Sequence, residues 1–132
     1  MRDPVIVLMS LQIAAFVTGA LTHFGVLFSG LQHWRAAIAE SVIAAALVLG
    51  LGLYVSYRRL GIAFSAQIFA LLGTLVGLVM ILIGIGPQST FDYVLHALMV
   101  SLLVAGLVVT RTGRAPNCRF GLRSCDKRLW MS

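Results

Sequence analysis

Charged residues are scarce in this chain, and their placement excludes a soluble fold. Only 11% of the 132 residues are Asp, Glu, Lys or Arg, whereas 60% are hydrophobic. Soluble domains average about 25% and about 45–50% respectively. No charged residue occurs between Pro4 and Trp34, and Glu40 is the only one from Ala36 to Tyr57. A soluble fold could not cover so apolar a surface with polar groups, so lipid is the expected solvent.

Cysteine is also rare, and signatures of catalysis are absent. Cys118 and Cys125 are the only cysteines, and two alone do not complete a four-ligand zinc site. We expect both to be reduced thiols on the cytoplasmic side of a membrane. No nucleophile elbow, glycine-rich phosphate loop or pair of catalytic carboxylates is visible. The sequence therefore favours a protein that is not an enzyme.

Four apolar segments are long enough to cross a bilayer, since about 20 helical residues span a hydrocarbon core of about 30 Å. Lipid offers no partner to an unpaired backbone group, so each segment is predicted to be a helix. The first is too long for a signal peptide and is expected to be retained. The predicted fold is an all-α integral membrane four-helix bundle of two antiparallel hairpins. It covers residues 1–110, with helices at about 4–28, 36–57, 61–86 and 91–110.

The basic residues predict the orientation. With four spans, both termini and the second loop share one side, which holds every Lys and Arg except Arg35. Basic residues collect on cytoplasmic flanks, so both termini are predicted to be cytoplasmic. The net charge of +6 then indicates contact with anionic lipid headgroups rather than nucleic acid. Residues 111–132 are predicted to form a flexible basic tail, or alternatively an arm that binds a partner. The predicted headgroup contacts are Arg58, Arg59, Arg111 and Arg114.

Small and polar residues recur at helical spacing on one face of each segment. Lipid does not drive helices together, so close packing at small residues and interhelical hydrogen bonds must do so. We therefore expect these faces to turn inward. Gly73-x-x-x-Gly77 and a ridge of three small residues in the fourth helix favour packing within the chain or in a homodimer. The predicted packing residues are Gln12, Gly19, Gln67, Gly73, Thr74, Gly77, Ala97, Ser101 and Ala105.

Ionisable side chains cluster near the outer ends of the predicted helices. His23, Glu40 and His96 are predicted to lie roughly 6–8 Å below the extracytoplasmic boundary. Asp92 and His33 are predicted to lie closer to the surface. Asp92 fits a helix cap within Ser89–Asp92, and His33 fits a solvated loop position. These five groups are expected to form one layer.

Several roles remain open for this layer. A structural hydrogen bond between Glu40 and a histidine would offset the cost of placing an ionisable group at membrane depth. All five groups are candidate ligands for a divalent metal such as zinc, manganese or iron. His23 and His96 are candidate ligands of a b-type haem, for which Gly19 would leave room. A Glu–His pair would instead relay protons or bind a cation.

Several stretches resemble small four-helix membrane proteins found in many bacteria. They are His23–Gly25, His33, Ala36–Ile43, Ala66–Gln67, Gly73–Gly77, Gly86–Pro87, Asp92 and His96, and the resemblance covers roughly residues 10 to 111. It implies four spanning helices in a bacterial inner (plasma) membrane and brings no activity or site residue with it.

The sequence therefore leaves three functions to compare. The leading interpretation is an accessory, sensing or structural membrane protein. The second is binding or transport of a cation, a proton or haem at the outer His/Glu layer. The third is a subunit of a larger membrane complex, docked through the glycine ridge or the basic tail.

Overall fold

The computed structural model describes residues 3–113, and this part of the chain contains four α-helices and no strand. Each helix is long and apolar enough to cross a membrane, with a mean hydropathy of 2.1 to 2.2. The prediction of an all-helical fold with four potential membrane spans is confirmed for these residues. The predictions for Arg114, Cys118, Cys125 and the rest of the tail lie outside the described residues. The helices are α1 (Pro4–His23), α2 (Trp34–Tyr57), α3 (Leu60–Leu82) and α4 (Thr90–Thr112).

The first and third helices end earlier than their apolar segments do. α1 ends at His23 rather than near Phe28, because Gly25 adopts a φ of 78° and turns the chain away. The amides of Gly25 and Val26 then donate to the carbonyls of Thr22 and Leu21. This is the Schellman arrangement, which satisfies the last carbonyls of a helix.

The end of α3 is built in the same way. α3 ends at Leu82 rather than at Gly86, and Gly84 takes a φ of 81°. The amides of Gly84 and Ile85 donate to the carbonyls of Ile81 and Met80. Apolar composition gave no sign of either stop, since the residues beyond the helix are as hydrophobic as those inside it.

The four helices close into a ring. α1 and α3 each pack against both α2 and α4. At one end, the Tyr54 hydroxyl donates to Asp3 over 2.8 Å, which joins the start of α1 to the end of α2. At the other end, the His33 amide donates to the His23 carbonyl over 2.9 Å. Contacts at both ends therefore fix α1 and α2 as antiparallel neighbours.

The predicted inward faces are buried, and the glycines of α3 are used inside the chain. Gly73 lies against Ile43 of α2, and Gly77 lies against the ring of His96 of α4. The Gly73-x-x-x-Gly77 pair therefore brings α3 close to its two neighbours. The ridge in α4 behaves differently, because its residues point out of the bundle. The packing prediction is wrong within this chain for the exposed residues Ala97, Ser101 and Ala105.

A pair of glutamines forms a polar layer within the bundle. Gln12 donates to the Leu102 carbonyl over 2.9 Å, and Gln67 donates to the Thr110 hydroxyl over 3.1 Å. Gly106 of α4 admits both side chains, since a Cβ atom there would collide with each of them. These interhelical hydrogen bonds join α1 and α3 to α4.

The contact between α2 and α3 predicts opposite effects for two nearby glycines. A Cβ atom at Gly50 would overlap the Cβ atom of Ala66, whereas one at Gly52 meets no atom within 4 Å. Gly50→Ala should destabilise the chain, because overpacking costs about 1–3 kcal/mol. Gly52→Ala should be neutral or stabilising by up to about 1 kcal/mol through helix propensity. Thermal unfolding in detergent measures both, and equal effects would contradict this packing.

Candidate functional site

Three ionisable side chains from three helices meet at the end of the bundle where α1 stops. His23 Nε2 lies 3.5 Å from Glu40 Oε1 and 3.4 Å from Asp92 Oδ1. The three residues are only 1%, 4% and 1% exposed. We call His23, Glu40 and Asp92 the outer cluster. The structure thus brings together three of the five predicted groups.

A glycine one helical turn before His23 makes room for the cluster. The Glu40 carboxylate occupies the space beside Gly19, where an added Cβ atom would lie 2.7 Å from Oε2. From the sequence, Gly19 was expected to leave room for a haem. In the structure, the side chain of Glu40 from α2 fills this space. Gly19 therefore acts as a packing residue that lets Glu40 reach His23.

Asp92 combines two roles that the sequence presented as alternatives. Its Oδ2 accepts from the Ser89 amide over 3.0 Å and from the Ser89 hydroxyl, while its own amide donates to Ser89 Oγ over 3.2 Å. This reciprocal capping box starts α4. Its other oxygen, Oδ1, faces His23. The cap therefore holds the carboxylate in a fixed position for the cluster.

The hydrogen bonds of His23 determine which of its nitrogens carries a proton. Nδ1 lies 3.2 Å from the Leu31 carbonyl, and a carbonyl can only accept, so Nδ1 is the donor. In a neutral ring, Nε2 would then present a lone pair to two carboxylates. Three acceptors facing one another in a low dielectric repel strongly. We infer that Nε2 is also protonated and that His23 is an imidazolium shared between Glu40 and Asp92.

This assignment still leaves the cluster with an excess of negative charge. One imidazolium and two carboxylates sum to one net negative charge, which is costly to bury. Six buried side-chain atoms among the described residues lack a hydrogen-bond partner, and all of them except His23 Nε2 are carboxylate or amide oxygens, which accept. Four of them belong to the outer cluster: His23 Nε2, both Glu40 oxygens and Asp92 Oδ1. The interior is thus rich in acceptors and short of positive charge.

The other two histidines have separate positions. His96 Nδ1 lies 2.8 Å from the Asp92 carbonyl and must donate to it, which leaves Nε2 of the neutral ring as an acceptor beside Gly77. His33 is the N-cap of α2, and its Nδ1 accepts from the Ala36 amide over 3.3 Å. His33 is therefore a helix cap, and its place in the five-group layer stays a prediction.

Neither of the predicted cofactors fits this arrangement well. Within residues 3–113, no group of three or more His, Cys, Asp or Glu is placed to hold a metal ion. A haem bound by His23 and His96 needs both Nε2 atoms to face one iron. His23 Nε2 instead faces two carboxylates, and Glu40 fills the space beside Gly19. The outer cluster suits a proton or another cation that needs no macrocycle.

A cavity of about 280 Å³ adjoins the cluster between the outer halves of α2 and α3. Glu40 and His96 supply polar groups to its lining, and His33 and Arg35 lie at its outer end. Most of the remaining wall is apolar or glycine. The cavity therefore places Glu40 between the buried cluster and a space that a small molecule would fit.

No family model, curated protein or solved structure matches this chain. The resemblance to small bacterial membrane proteins therefore stays a prediction. The chemistry of the site has to be argued from its own side chains and their geometry.

The outer cluster predicts strong energetic coupling between His23 and Glu40. His23→Leu removes the positive partner of two buried carboxylates and should cost about 3–5 kcal/mol of unfolding free energy. In a Glu40→Gln background, the same substitution should cost at least about 1 kcal/mol less, as expected for contacting residues. Unfolding of the single and double variants in detergent gives the coupling.

Tyr54→Phe, which removes the hydrogen bond to Asp3 at the other end of the bundle, serves as the control for that cycle. Loss of this hydrogen bond costs about 0.5–1.5 kcal/mol, and the cost should be the same in the wild type and in the Glu40→Gln background. Strictly additive effects of His23→Leu and Glu40→Gln would show that the two side chains do not interact.

Proposed function

We propose that this chain is a four-span protein of the bacterial plasma membrane that binds a proton or another monovalent cation at the outer cluster, from the extracytoplasmic side. The observation that carries the proposal is the set of buried acceptors around His23 Nε2. Their formal charge stays negative even when His23 is protonated. One more proton or monovalent cation makes the site neutral.

The distribution of arginines supports the proposed orientation. Arg58 and Arg59 join α2 to α3, and Arg111 lies in the last turn of α4, so all three mark the end of the bundle opposite the outer cluster. All three are exposed. Arg58 pairs with Asp3 over 3.5 Å while 64% of its side chain stays exposed. Such residues suit anionic headgroups, and the positive-inside rule puts this end in the cytoplasm.

The depth of the cluster suits exchange with the extracytoplasmic side. Glu40 lies six residues after the start of α2 at Trp34, which corresponds to about 9 Å along a helix axis. Asp92 lies in the first turn of α4. The site is therefore shielded from water yet close to one membrane surface, as an exchangeable site requires. An ionisable group at membrane depth is a functional candidate for this reason.

This proposal follows the second of the three interpretations from the sequence. The accessory, sensing and complex-subunit interpretations stay predictions, because no contact of the described residues favours them over a charge-binding site. A sensing role is compatible with the proposal, since binding of a proton changes the charge of the cluster.

The orientation predicts a labelling pattern for the two native cysteines. Cys118 and Cys125 should react with a membrane-impermeant maleimide in inverted vesicles and not in intact spheroplasts. A matched variant with both cysteines replaced by Ser and with Ser29→Cys should give the reverse pattern, because Ser29 lies in the loop between α1 and α2. Labelling of the native cysteines in intact spheroplasts would contradict the proposed orientation.

The proposed charge state predicts a protonated carboxyl group in the membrane. The infrared spectrum of the wild type should show the carbonyl band of a buried carboxylic acid. The band should disappear in Glu40→Gln and persist in Asp3→Asn, since Asp3 lies at the opposite end of the bundle. Spectra of the wild type and Glu40→Gln that are identical would contradict proton binding at Glu40.

A further inference from the structure

The lining of the cavity beside the outer cluster is typical of a binding site for a small organic molecule. Its volume of about 280 Å³ lies near the lower end of the range of ligand pockets, about 300–1,000 Å³. Gly73 and Gly77 of α3 form part of its lining. Most of its wall comes from apolar side chains of α1, α2, α3 and the loop after α3: Phe16, Ile43, Val76, Met80, Ile85 and Pro87.

The polar groups of the cavity define what its ligand must offer. The Glu40 carboxylate is buried and its Oε2 has no hydrogen-bond donor, and Nε2 of a neutral His96 ring can only accept. A ligand that carried only acceptors would leave these groups unsatisfied, which costs about 1–3 kcal/mol for each buried group. The ligand must therefore donate hydrogen bonds.

The charge of the outer cluster further restricts the chemical class of the ligand. Because the outer cluster is one positive charge short, a cationic donor is favoured over a neutral one. The lining does not suit a small inorganic cation, because hard cations need several oxygen ligands and most atoms of this lining are carbon. An ammonium group on a small apolar body meets both conditions, and the ring of Phe16 adds a surface that attracts cations.

Arg35 at the outer end of the cavity does not reverse this conclusion. Its side chain is exposed, so water and salt screen its charge. Glu40 by comparison is buried, with a residue exposure of 4%, and the charge of its carboxylate acts in a lower dielectric. The buried group therefore determines the sign of the preferred ligand.

We propose that this cavity binds a monovalent organic cation, an ammonium on a small apolar body, in exchange for the proton of Glu40. The inference rests on the proposed function of the outer cluster. On binding, the O–H bond of the Glu40 carboxyl group breaks and its proton leaves to water. The ammonium group of the ligand then pairs with the resulting carboxylate, and the total charge of the site does not change.

The hydrogen bonds and charges of the groups that face Glu40 limit this exchange to a single proton. α1 contributes His23, which is already an imidazolium, and α4 contributes Asp92 and His96, both held by the start of α4. α2 itself adds His33, which acts as a helix cap, and the exposed Arg35. No residue of α3 is ionisable. One proton should therefore leave the site for each ammonium that binds.

The test is calorimetry on the full chain in nanodiscs with three probes of matched shape. 2-Phenylethylammonium should bind and release about one proton, counted by repeating the titration in buffers of different ionisation enthalpy. 2-Phenylethanol and 3-phenylpropanoate should bind at least about tenfold more weakly, because they lack the positive charge. Equal binding of the alcohol and the ammonium, or binding of the ammonium without proton release, would overturn the exchange.

Variants separate the cavity from the cluster. Ala39→Phe, which fills the lining of the cavity, should abolish ammonium binding but keep the infrared band of Glu40. Ala45→Phe, on the exposed side of α2 and outside the lining, should change neither. Glu40→Gln should lose both signals. Failure of the ammonium to bind while the Glu40 band is present overturns the inference alone, whereas loss of that band from the wild type overturns the proposed function as well.

Discussion

The contact between the His23 ring and two carboxylates is the interaction on which the rest of the outer end depends. His23 Nδ1 donates to the Leu31 carbonyl, and a proton on Nε2 lets the same ring pair with Glu40 and Asp92 together. The early end of α1 places His23 beside α2 and α4. Gly19 then clears the space for Glu40, and the cap on Asp92 fixes its carboxylate. All of these local features bring the side chains of His23, Glu40 and Asp92 together.

The buried polar groups of residues 3–113 are spaced along the bundle. The polar groups inside the bundle form separate layers rather than a continuous path. The outer cluster, the Gln12–Gln67 layer and the Asp3–Tyr54 contact are divided by buried apolar side chains such as Phe16 and Leu103. This spacing separates the outer cluster from the polar groups deeper in the bundle.

The sequence predicted much of this fold because hydrophobic length and small-residue periodicity decide how helices form and pack in lipid. The buried faces of the helices follow that periodicity. The helix ends could not be predicted, because Gly25 and Gly84 terminate helices inside uninterrupted apolar runs. The sequence predicted only some of the residues that form the outer cluster. Depth along each helix placed His23 and Glu40 in one layer. The third member of the cluster depends on how the helices are rotated against one another when they pack, and this rotation brings in Asp92 rather than His96 or His33.

The protonation state of His23 is the central claim, and nitrogen NMR of the labelled imidazole rings measures it most directly. In the full chain in nanodiscs at neutral pH, both ring nitrogens of His23 should carry a proton, while His33 Nδ1, which accepts from Ala36, should not. Replacing Glu40 by Gln and Asp92 by Asn together should return His23 to a neutral ring. A neutral His23 with an unprotonated Nε2 in the wild type would contradict the account.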